Sequence, residues 1–352
     1  MKALKFILSS LFSNETIVNE SKKQPWWLAI VLIIVSCIIS VIPSFVSVMR
    51  VQGSNVITAV ENYDIDYSLK QFSIEYLGNE NNKIFIKDKK LIVDEKSQMT
   101  DLGDYSLLTE IKREEKLSLL VYYVDFTSED EAKYQNFNEK MSKCILSIKT
   151  SHPIENTSDS KLYSTLILGQ GSVFLMICDK DAKCTYATEV DGTIKISSES
   201  GVKSNMSGNY DGFNDDLSNI SGYYYGSTTS EKVENAYNNW KLFFDKAYET
   251  PRNLLALQYV GIFVGIDLTI ALAMGLMLFL LSKTKASVKK YKFLESLKMV
   301  FFASFSPSLI SLLLGFMIPS FQSMAFVMCY ILRITWLGMK ATNPPANQPV
   351  RK

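Results

Sequence analysis

Four apolar segments interrupt the charged pattern of this 352-residue chain. The first, residues 26–49, contains no charged side chain and begins with two tryptophans. About 20 apolar residues in helical form cross the hydrocarbon core of a bilayer, and tryptophan favours the headgroup level. The other segments cover residues 253–282, 299–318 and 320–339. The pattern therefore predicts four transmembrane helices.

Some of these segments have alternative interpretations. A cleaved signal peptide is the alternative for residues 26–49, but the run exceeds the usual apolar core of roughly 7–15 residues. We therefore predict a retained helix. Pro319 lies between the third and fourth segments, where a tight turn would end a helix. This spacing predicts a helical hairpin, and a short re-entrant pair is the alternative.

Residues 50–252 change to short alternating patterns with turn residues, which are typical of strands. Lys83–Val93 predicts a hairpin, and Leu117–Phe126, which is β-branched and aromatic, predicts a buried strand. Asp191-Gly192 is the strongest hairpin-turn signal in the chain. The middle of the chain is therefore expected to be rich in strands.

Two helices are predicted within the same region. Ser128–Lys149 begins with Ser-Glu-Asp-Glu, a typical helix start, and Ser230–Glu249 ends just before Pro251. The predicted fold class is a membrane protein: an α-helical bundle of four transmembrane helices with an extracytoplasmic, strand-rich α/β domain inserted between helices 1 and 2.

The distribution of lysine and arginine predicts the orientation. Residues 1–25, 283–298 and 340–352 are rich in basic residues, and cytoplasmic loops carry such an excess. We expect a cell-membrane protein with both termini cytoplasmic and residues 50–252 extracytoplasmic. Residues 50–252 contain 23 basic and 32 acidic residues, a net charge of about −9, which argues against nucleic acid as a partner.

The N-terminal segment, residues 1–25, opens with MKALKFILSSLFS, whose apolar residues recur near helical spacing. This pattern predicts an amphipathic helix lying in the cytoplasmic interface of the membrane. A helix packed on the cytoplasmic end of the bundle is an equally good interpretation.

Motifs for catalysis, cofactors and metals are missing from the sequence. His152 is the single histidine, which argues against a Ser-His-Asp triad or a histidine-rich zinc site. The chain has no G-x-x-x-x-G-K-[ST] loop, and Gly169-x-Gly171 lacks the third glycine of the dinucleotide fingerprint. We therefore expect no catalytic, cofactor-binding or metal-binding residues, and a protein that is not an enzyme.

Two further patterns leave alternatives open. Cys178 and Cys184 bracket a short polar turn, which is compatible with a hairpin disulfide or with two unpaired thiols. Tyr223–Tyr225, with Trp240 and Phe243, could supply a stacking platform for sugar or peptide, and burial in the core is the alternative.

Polar residues inside the apolar segments are unusual and therefore informative. Asp267 lies near the middle of the second segment and Arg333 lies in the fourth. We hypothesise an ion pair between them that joins helices 2 and 4. In the alternative, Arg333 extends to the interface and Asp267 is protonated or faces a polar cavity.

Small residues recur at the spacing that lets helix backbones approach closely. Gly261 and Gly265 occur in the second segment, and Ser311 and Gly315 occur in the third. They predict helix packing within the bundle or against the helices of a partner.

The whole layout resembles a known family. The start MKALKFILSSLF precedes one span and a strand-rich domain, and the chain closes with LKMVFFASFSPSLISLLLGFMI and FQSMAFVMCYILRITWLGMKA. This arrangement is similar to a family of uncharacterised multi-pass membrane proteins from low-GC Gram-positive bacteria, often labelled maltodextrin utilisation proteins. The resemblance implies a non-enzymatic accessory role near a transporter or the envelope, and it transfers no functional residues.

We therefore expect a non-enzymatic accessory or binding protein of the bacterial cytoplasmic membrane, associated with sugar (maltodextrin) uptake. Its expected partners are the lipid bilayer and either a membrane transporter or a second copy, through helices 2 and 3. The alternatives are a subunit of a transport assembly whose helices contact a substrate path, and an envelope enzyme acting on cell-wall or lipid substrates.

Overall fold

The structure, a computed structural model, combines a helical unit with a strand-rich sheet unit. The helical unit contains residues 1–50 and 254–352, and the sheet unit contains residues 51–253. The structure describes residues 2–58, 64–79, 81–114, 116–150, 163–178, 189–190, 193–194, 202–213, 229–284, 289–318 and 321–342.

Helices occur in both units. Those in the described residues are α1 (Lys2–Phe12), α2 (Asn14–Glu20), α3 (Trp26–Met49), α4 (Asn55–Thr58), α5 (Ile65–Gln71), α6 (Phe137–Thr150), α7 (Thr229–Lys283), α8 (Phe293–Ala303), α9 (Phe305–Met317) and α10 (Gln322–Thr342).

Three helical stretches in the described residues are long and apolar enough to cross a membrane: Trp26–Met49, Asn235–Lys283 and Phe293–Met317. They correspond to α3, part of α7, and α8 with α9. The 21-residue helix α10 has a similar length but carries Arg333 and Lys340, which lower its apolar content.

Helix α7 continues through Pro251 for a total of 55 residues. The prediction of one helix ending before Pro251 and a second helix beginning after it is therefore wrong. A proline removes one N–H donor from the helical ladder, and the hydrogen bonds on either side can still continue the helix.

The strands of the described residues are β1 (Ile84–Lys87), β2 (Lys90–Val93), β3 (Thr100–Asp101), β4 (Ser106–Arg113), β5 (Lys116–Val124), β6 (Ser164–Gly169), β7 (Ser172–Cys178), β8 (Glu189–Val190), β9 (Thr193–Ile194) and β10 (Val202–Asn209). Six of them form one sheet in the order β10-β7-β6-β5-β4-β3. Strands β5 and β6 are parallel, while the other neighbours are antiparallel.

Several predicted elements are confirmed. Strands β1 and β2 form the hairpin predicted at Lys83–Val93, and β5 is the predicted buried strand. Strands β8 and β9 pair on either side of Asp191-Gly192, which themselves lie outside the described residues.

The helix predicted from Ser128 begins later, at Phe137, because residues 130–132 form a 3-10 turn.

Strand β5 is buried on both faces of the sheet, which explains its nearly continuous apolar run. Leu119 and Val121 belong to the core that includes residues of α5 and of the first part of α7. Leu120 and Tyr122 belong to a second core, which contains Met141 of α6. The crossover helix α6 therefore covers one face of the sheet.

The N-terminal helices pack into the core of the helical unit. Phe6 of α1 and Ile17 of α2 are buried, and the Phe6 ring meets the Phe302 ring of α8 edge-on at 4.8 Å between centroids. This packing favours a helix docked on the bundle over one lying free in the interface.

Candidate functional site

The sheet unit has a cleft at one edge of its parallel strand pair. Val124 at the end of β5 pairs with Gly169 at the end of β6, so both carboxyl ends lie at this edge. In open α/β sheets, ligands bind beyond the carboxyl ends of parallel strands. The cleft is open, has a volume of about 450 Å³, and is lined by Lys90, Phe126, Glu131, Gln135, Asn136, Phe137, Gln170 and Gly171.

Backbone hydrogen bonds fix the turn at the floor of this cleft. The Gln170 N–H donates to the Val124 carbonyl at 2.7 Å, and the Gln170 carbonyl accepts from the Leu91 N–H at 2.9 Å. These bonds tie the β6–β7 turn to β5 and to the β1–β2 hairpin. The main chain of Gln170 is thereby fixed while its side chain lines the cleft.

The two glycines of this turn make room for an aromatic ring. A Cβ atom on Gly169 would lie 2.7 Å from the Phe137 ring, and one on Gly171 would lie 2.9 Å from it. The Phe137 ring also meets the Phe126 ring edge-on at 6.4 Å. Gly169-x-Gly171 therefore serves ring packing at the cleft.

The start of α6 beside the cleft is capped by side chains. The side-chain Oδ1 of Asn136 accepts from the Glu139 N–H at 3.0 Å, and the Glu139 carboxylate accepts from the Gln135 N–H at 2.9 Å. This arrangement is a variant of the capping box. The spacing Asn136-x-x-Glu139 was the sequence signal for this helix start, which the prediction placed at Ser128.

A buried lysine organises the segment between β5 and α6. The Lys140 side chain is 3% exposed, and its Nζ lies 2.8 Å from Asp130 Oδ2 and 3.1 Å from Asp125 Oδ1. Asp130 Oδ2 also accepts from the Thr127 N–H at 2.8 Å and from the Thr127 hydroxyl at 3.0 Å. These bonds hold the connection that supplies one wall of the cleft.

The environment of Asp130 shifts its acidity. Burial raises the pKa of the Asp130 carboxyl, but the hydrogen bonds from Lys140 and Thr127 outweigh burial and leave the pKa below its ordinary value. The carboxylate is therefore ionised at neutral pH and paired with the Lys140 ammonium.

In the helical unit, the structure does not bring Asp267 and Arg333 into an ion pair. Asp267 is 4% exposed, and its Oδ2 lies within hydrogen-bond distance of the Ser40 hydroxyl oxygen, at 2.7 Å. The Arg333 guanidinium instead donates to Asn14 Oδ1 at 3.2 Å, to the Ala303 carbonyl at 3.0 Å and to the Ser10 carbonyl. The Arg333 guanidinium therefore bonds to oxygens of α1, α2 and α8 in place of the Asp267 carboxylate that the hypothesis assigned to it.

A glutamine links three helices of this unit around Pro43. The Gln322 carboxamide accepts from the Ser44 N–H at 2.9 Å and donates to the Ser40 carbonyl, one helical turn apart on α3. The main-chain carbonyl of Gln322 accepts from the Ser311 hydroxyl of α9 at 2.9 Å. The first residue of α10 therefore joins α3 and α9.

The predicted packing residues fall into two groups. A Cβ atom on Gly315 would lie 2.8 Å from the Pro43 side chain, and Ser311 is fully buried, so α9 packs closely here. A Cβ atom on Gly261 or Gly265 would meet nothing within 4 Å in the described part of the chain. The two α7 glycines therefore do not pack a helix within the described chain.

Only one of the two cysteines in the predicted disulfide lies within the described residues. Cys178 is buried on β7, with its Sγ 3.5 Å from the Tyr163 carbonyl, while Cys184 lies outside the described residues. The disulfide between them stays a prediction. Cys144 is also buried, and burial raises the pKa of its thiol to about 11, so it is not a reactive thiolate at neutral pH.

The proposed stacking platform is not formed by its two described members. Trp240 and Phe243 are each 3% exposed and belong to the core of the sheet unit, so neither ring offers an open face. Tyr223–Tyr225 and His152 lie outside the described residues.

Comparisons with models of known protein families, with curated proteins and with solved structures find no match for this chain. Within the described residues, no group of three or more His, Cys, Asp or Glu side chains is arranged to hold a metal ion.

The Lys140–Asp130 pair predicts acid-sensitive stability of the sheet unit. Asp130→Asn should cost about 1.5–3 kcal/mol at neutral pH, because it removes one of the two carboxylates that hydrogen-bond to the buried Lys140 ammonium. The wild-type contribution is present above the ordinary aspartate pKa of about 3.9 and is lost as the pH falls through the lower native pKa. The stability difference between the two proteins should therefore shrink in acid.

Hydrogen exchange of β5 and α6 amides between about pH 5 and pH 2 would measure this difference. Asp88→Asn is the control, since Asp88 is exposed and its left-handed backbone conformation suits asparagine. An acid response of Asp130→Asn equal to that of the wild type would contradict a stabilising pair.

The glycines of the helical unit provide a second prediction. Gly315→Ala should lower stability by about 1–3 kcal/mol, because its methyl group would collide with Pro43 and Gln322. Gly261→Ala meets open space in a helix and should leave stability unchanged or raise it by up to about 1 kcal/mol. Thermal unfolding of both variants in detergent would measure this, and equal losses would contradict the packing at Gly315.

Proposed function

We propose that this protein is a non-enzymatic, membrane-anchored binding protein of a bacterial cytoplasmic membrane. The observation that carries the proposal is the cleft of about 450 Å³ at the carboxyl edge of β5 and β6. In this proposal the helical unit anchors the protein, and the sheet unit presents the cleft to the extracytoplasmic side.

The proposed anchor is a bundle of four spans: α3, the C-terminal part of α7, α8 with α9, and α10. Three stretches of membrane length support it, as does the burial of Phe326, Tyr330 and Ile334 of α10 in the core that contains Ile33 of α3. The sheet unit would then be inserted between the first and second spans, with both chain termini cytoplasmic. The basic residues flanking the spans support this orientation.

Single-cysteine labelling would test the proposed topology. In a background without native cysteines, Lys96→Cys in the sheet unit should react with an impermeant maleimide in intact cells. Lys290→Cys, between α7 and α8, should react only after the cells are permeabilised. Both lysines are exposed, so access to the reagent depends on the side of the membrane. The reverse pattern would overturn the proposed orientation.

Besides one residue of each charge, Lys90 and Glu131, the cleft is lined by aromatic and carboxamide side chains, which suit a ligand rich in hydroxyl groups, such as an oligosaccharide. The Phe126 and Phe137 rings offer apolar surface for sugar rings. The carboxamides of Gln135, Asn136 and Gln170 can both donate to and accept from hydroxyl groups. The resemblance to proteins labelled for maltodextrin utilisation agrees with this ligand class, and we propose an accessory role in sugar uptake.

Binding of maltooligosaccharides to the full-length protein in detergent would test the ligand class. Gln135→Ala and Gln170→Ala should each weaken binding about 3–10-fold, the loss expected for one hydrogen bond. Gln98→Ala is the matched control, because Gln98 is exposed and outside the cleft lining. Calorimetry that detects no sugar binding, or equal affinities in all three variants, would refute the assignment.

A subunit of a transport assembly is the second candidate, favoured by the buried Asp267 carboxyl in the helical unit. Its helices would then contact those of a transporter, and the open Gly261 and Gly265 positions on α7 would be available for such a contact or for a second copy. Co-purification of transporter subunits in mild detergent would support this candidate, whereas isolated self-associated protein would favour the first.

A further inference from the structure

We propose that Asp267 is a proton-binding site in the apolar core of the helical unit. The protonated carboxyl donates to the Ser40 hydroxyl, and this hydroxyl donates in turn to the Cys37 carbonyl. The inference does not depend on the proposed function of the sheet unit, because it uses only residues of the helical unit.

The position of Asp267 makes an ionised carboxylate unfavourable. Its side chain is 4% exposed and lies near the middle of the apolar stretch of α7. Ala271, one turn further along the same helix, belongs to an apolar core together with Cys37 and Ile33 of α3. A charge in such surroundings needs a cation or several hydrogen-bond donors, whereas a neutral acid needs neither.

The neighbouring donors are already engaged elsewhere. The Arg333 guanidinium donates hydrogen bonds to oxygens of Asn14, Ala303 and Ser10. The Tyr330 hydroxyl donates to the Val300 carbonyl at 2.9 Å. Within the described residues, the Ser40 hydroxyl is therefore the one hydrogen-bond partner of Asp267.

Counting hydrogen atoms at Ser40 decides where the proton lies. The Ser40 Oγ is 2.7 Å from Asp267 Oδ2 and 2.8 Å from the Cys37 carbonyl oxygen. A serine hydroxyl has one hydrogen, so it can donate one full hydrogen bond, and sharing that hydrogen between two acceptors weakens both contacts. If Asp267 contributes a hydrogen of its own, each of the two short contacts becomes a complete hydrogen bond.

Loss of this proton would weaken the contact between α7 and α3. The proton would pass to water, leaving a carboxylate with at most one donor in an apolar core. The titratable or charged groups near this carboxyl are Cys37 on α3 and Tyr330 and Arg333 on α10. Arg333 is the one permanent cation among them, and its hydrogen bonds hold it at the N-terminal helices.

Infrared spectroscopy of the full-length protein in lipid vesicles tests the proposal directly. At neutral pH we expect a C=O stretching band of a protonated carboxylic acid that shifts in D2O and disappears in Asp267→Asn. Ser40→Ala should shift this band, because the acid loses its acceptor. If the wild type shows no such band, or the band persists in Asp267→Asn, the proposal is overturned.

Stability measurements provide a second test that does not need the infrared band. Asparagine keeps the shape of a neutral aspartic acid and can donate to Ser40, so Asp267→Asn should be about as stable as the wild type at neutral pH. The wild type should lose thermal stability at alkaline pH relative to Asp267→Asn. An asparagine variant that unfolds at neutral pH, or equal alkaline responses in both proteins, would show that Asp267 does not hold the proton.

Discussion

The helical unit depends on the requirement that polar groups inside an apolar core find their partners within the protein. Pro43 removes one backbone donor from α3, and the Gln322 carboxamide bonds to the main chain of Ser40 and Ser44 on either side of it. Gly315 leaves the space in which Pro43 and Gln322 meet. A proline of α3, a glycine of α9 and a glutamine of α10 therefore form one close contact between the three helices.

The same requirement is met differently at each buried ionisable group. The Lys140 ammonium pairs with two carboxylates. The Arg333 guanidinium donates charge-assisted hydrogen bonds to three neutral oxygens. Asp267 has a single hydroxyl for a partner. Lys140 and Arg333 can therefore remain charged, whereas the surroundings of Asp267 favour the neutral acid.

The two candidate sites are physically distinct. The cleft is open, lies in the sheet unit and is built on a parallel strand pair that α6 covers on one face. Asp267 is enclosed in the helical unit and lines no open cleft of the sheet unit. Because they share no residue, the proposed ligand binding at the cleft and the proposed proton binding at Asp267 can be tested separately by mutation.

Patterns that act over a few residues were sufficient to predict the elements. Apolar runs predicted α3 and α9, alternation predicted the β1–β2 hairpin, and a β-branched and aromatic run predicted β5, because these patterns are local properties of the chain. The late start of α6 was missed because the sequence offers two similar start signals, Ser-Glu-Asp-Glu at Ser128 and Asn136-x-x-Glu139, and the structure uses the second. Asp130, near the first signal, lies in a 3-10 turn and pairs with Lys140.

The sites themselves depend on contacts between residues far apart in the chain. The sequence identified Asp267 and Arg333 as unusual polar residues inside apolar segments. Only the fold shows that Arg333 hydrogen-bonds to the N-terminal helices while Asp267 contacts Ser40. Likewise, only the fold shows that Gly169 and Gly171 leave space for the Phe137 ring. The spacing of hydrophobic residues can be read from the sequence. The partner of a buried polar group depends on which helices and strands pack together in three dimensions.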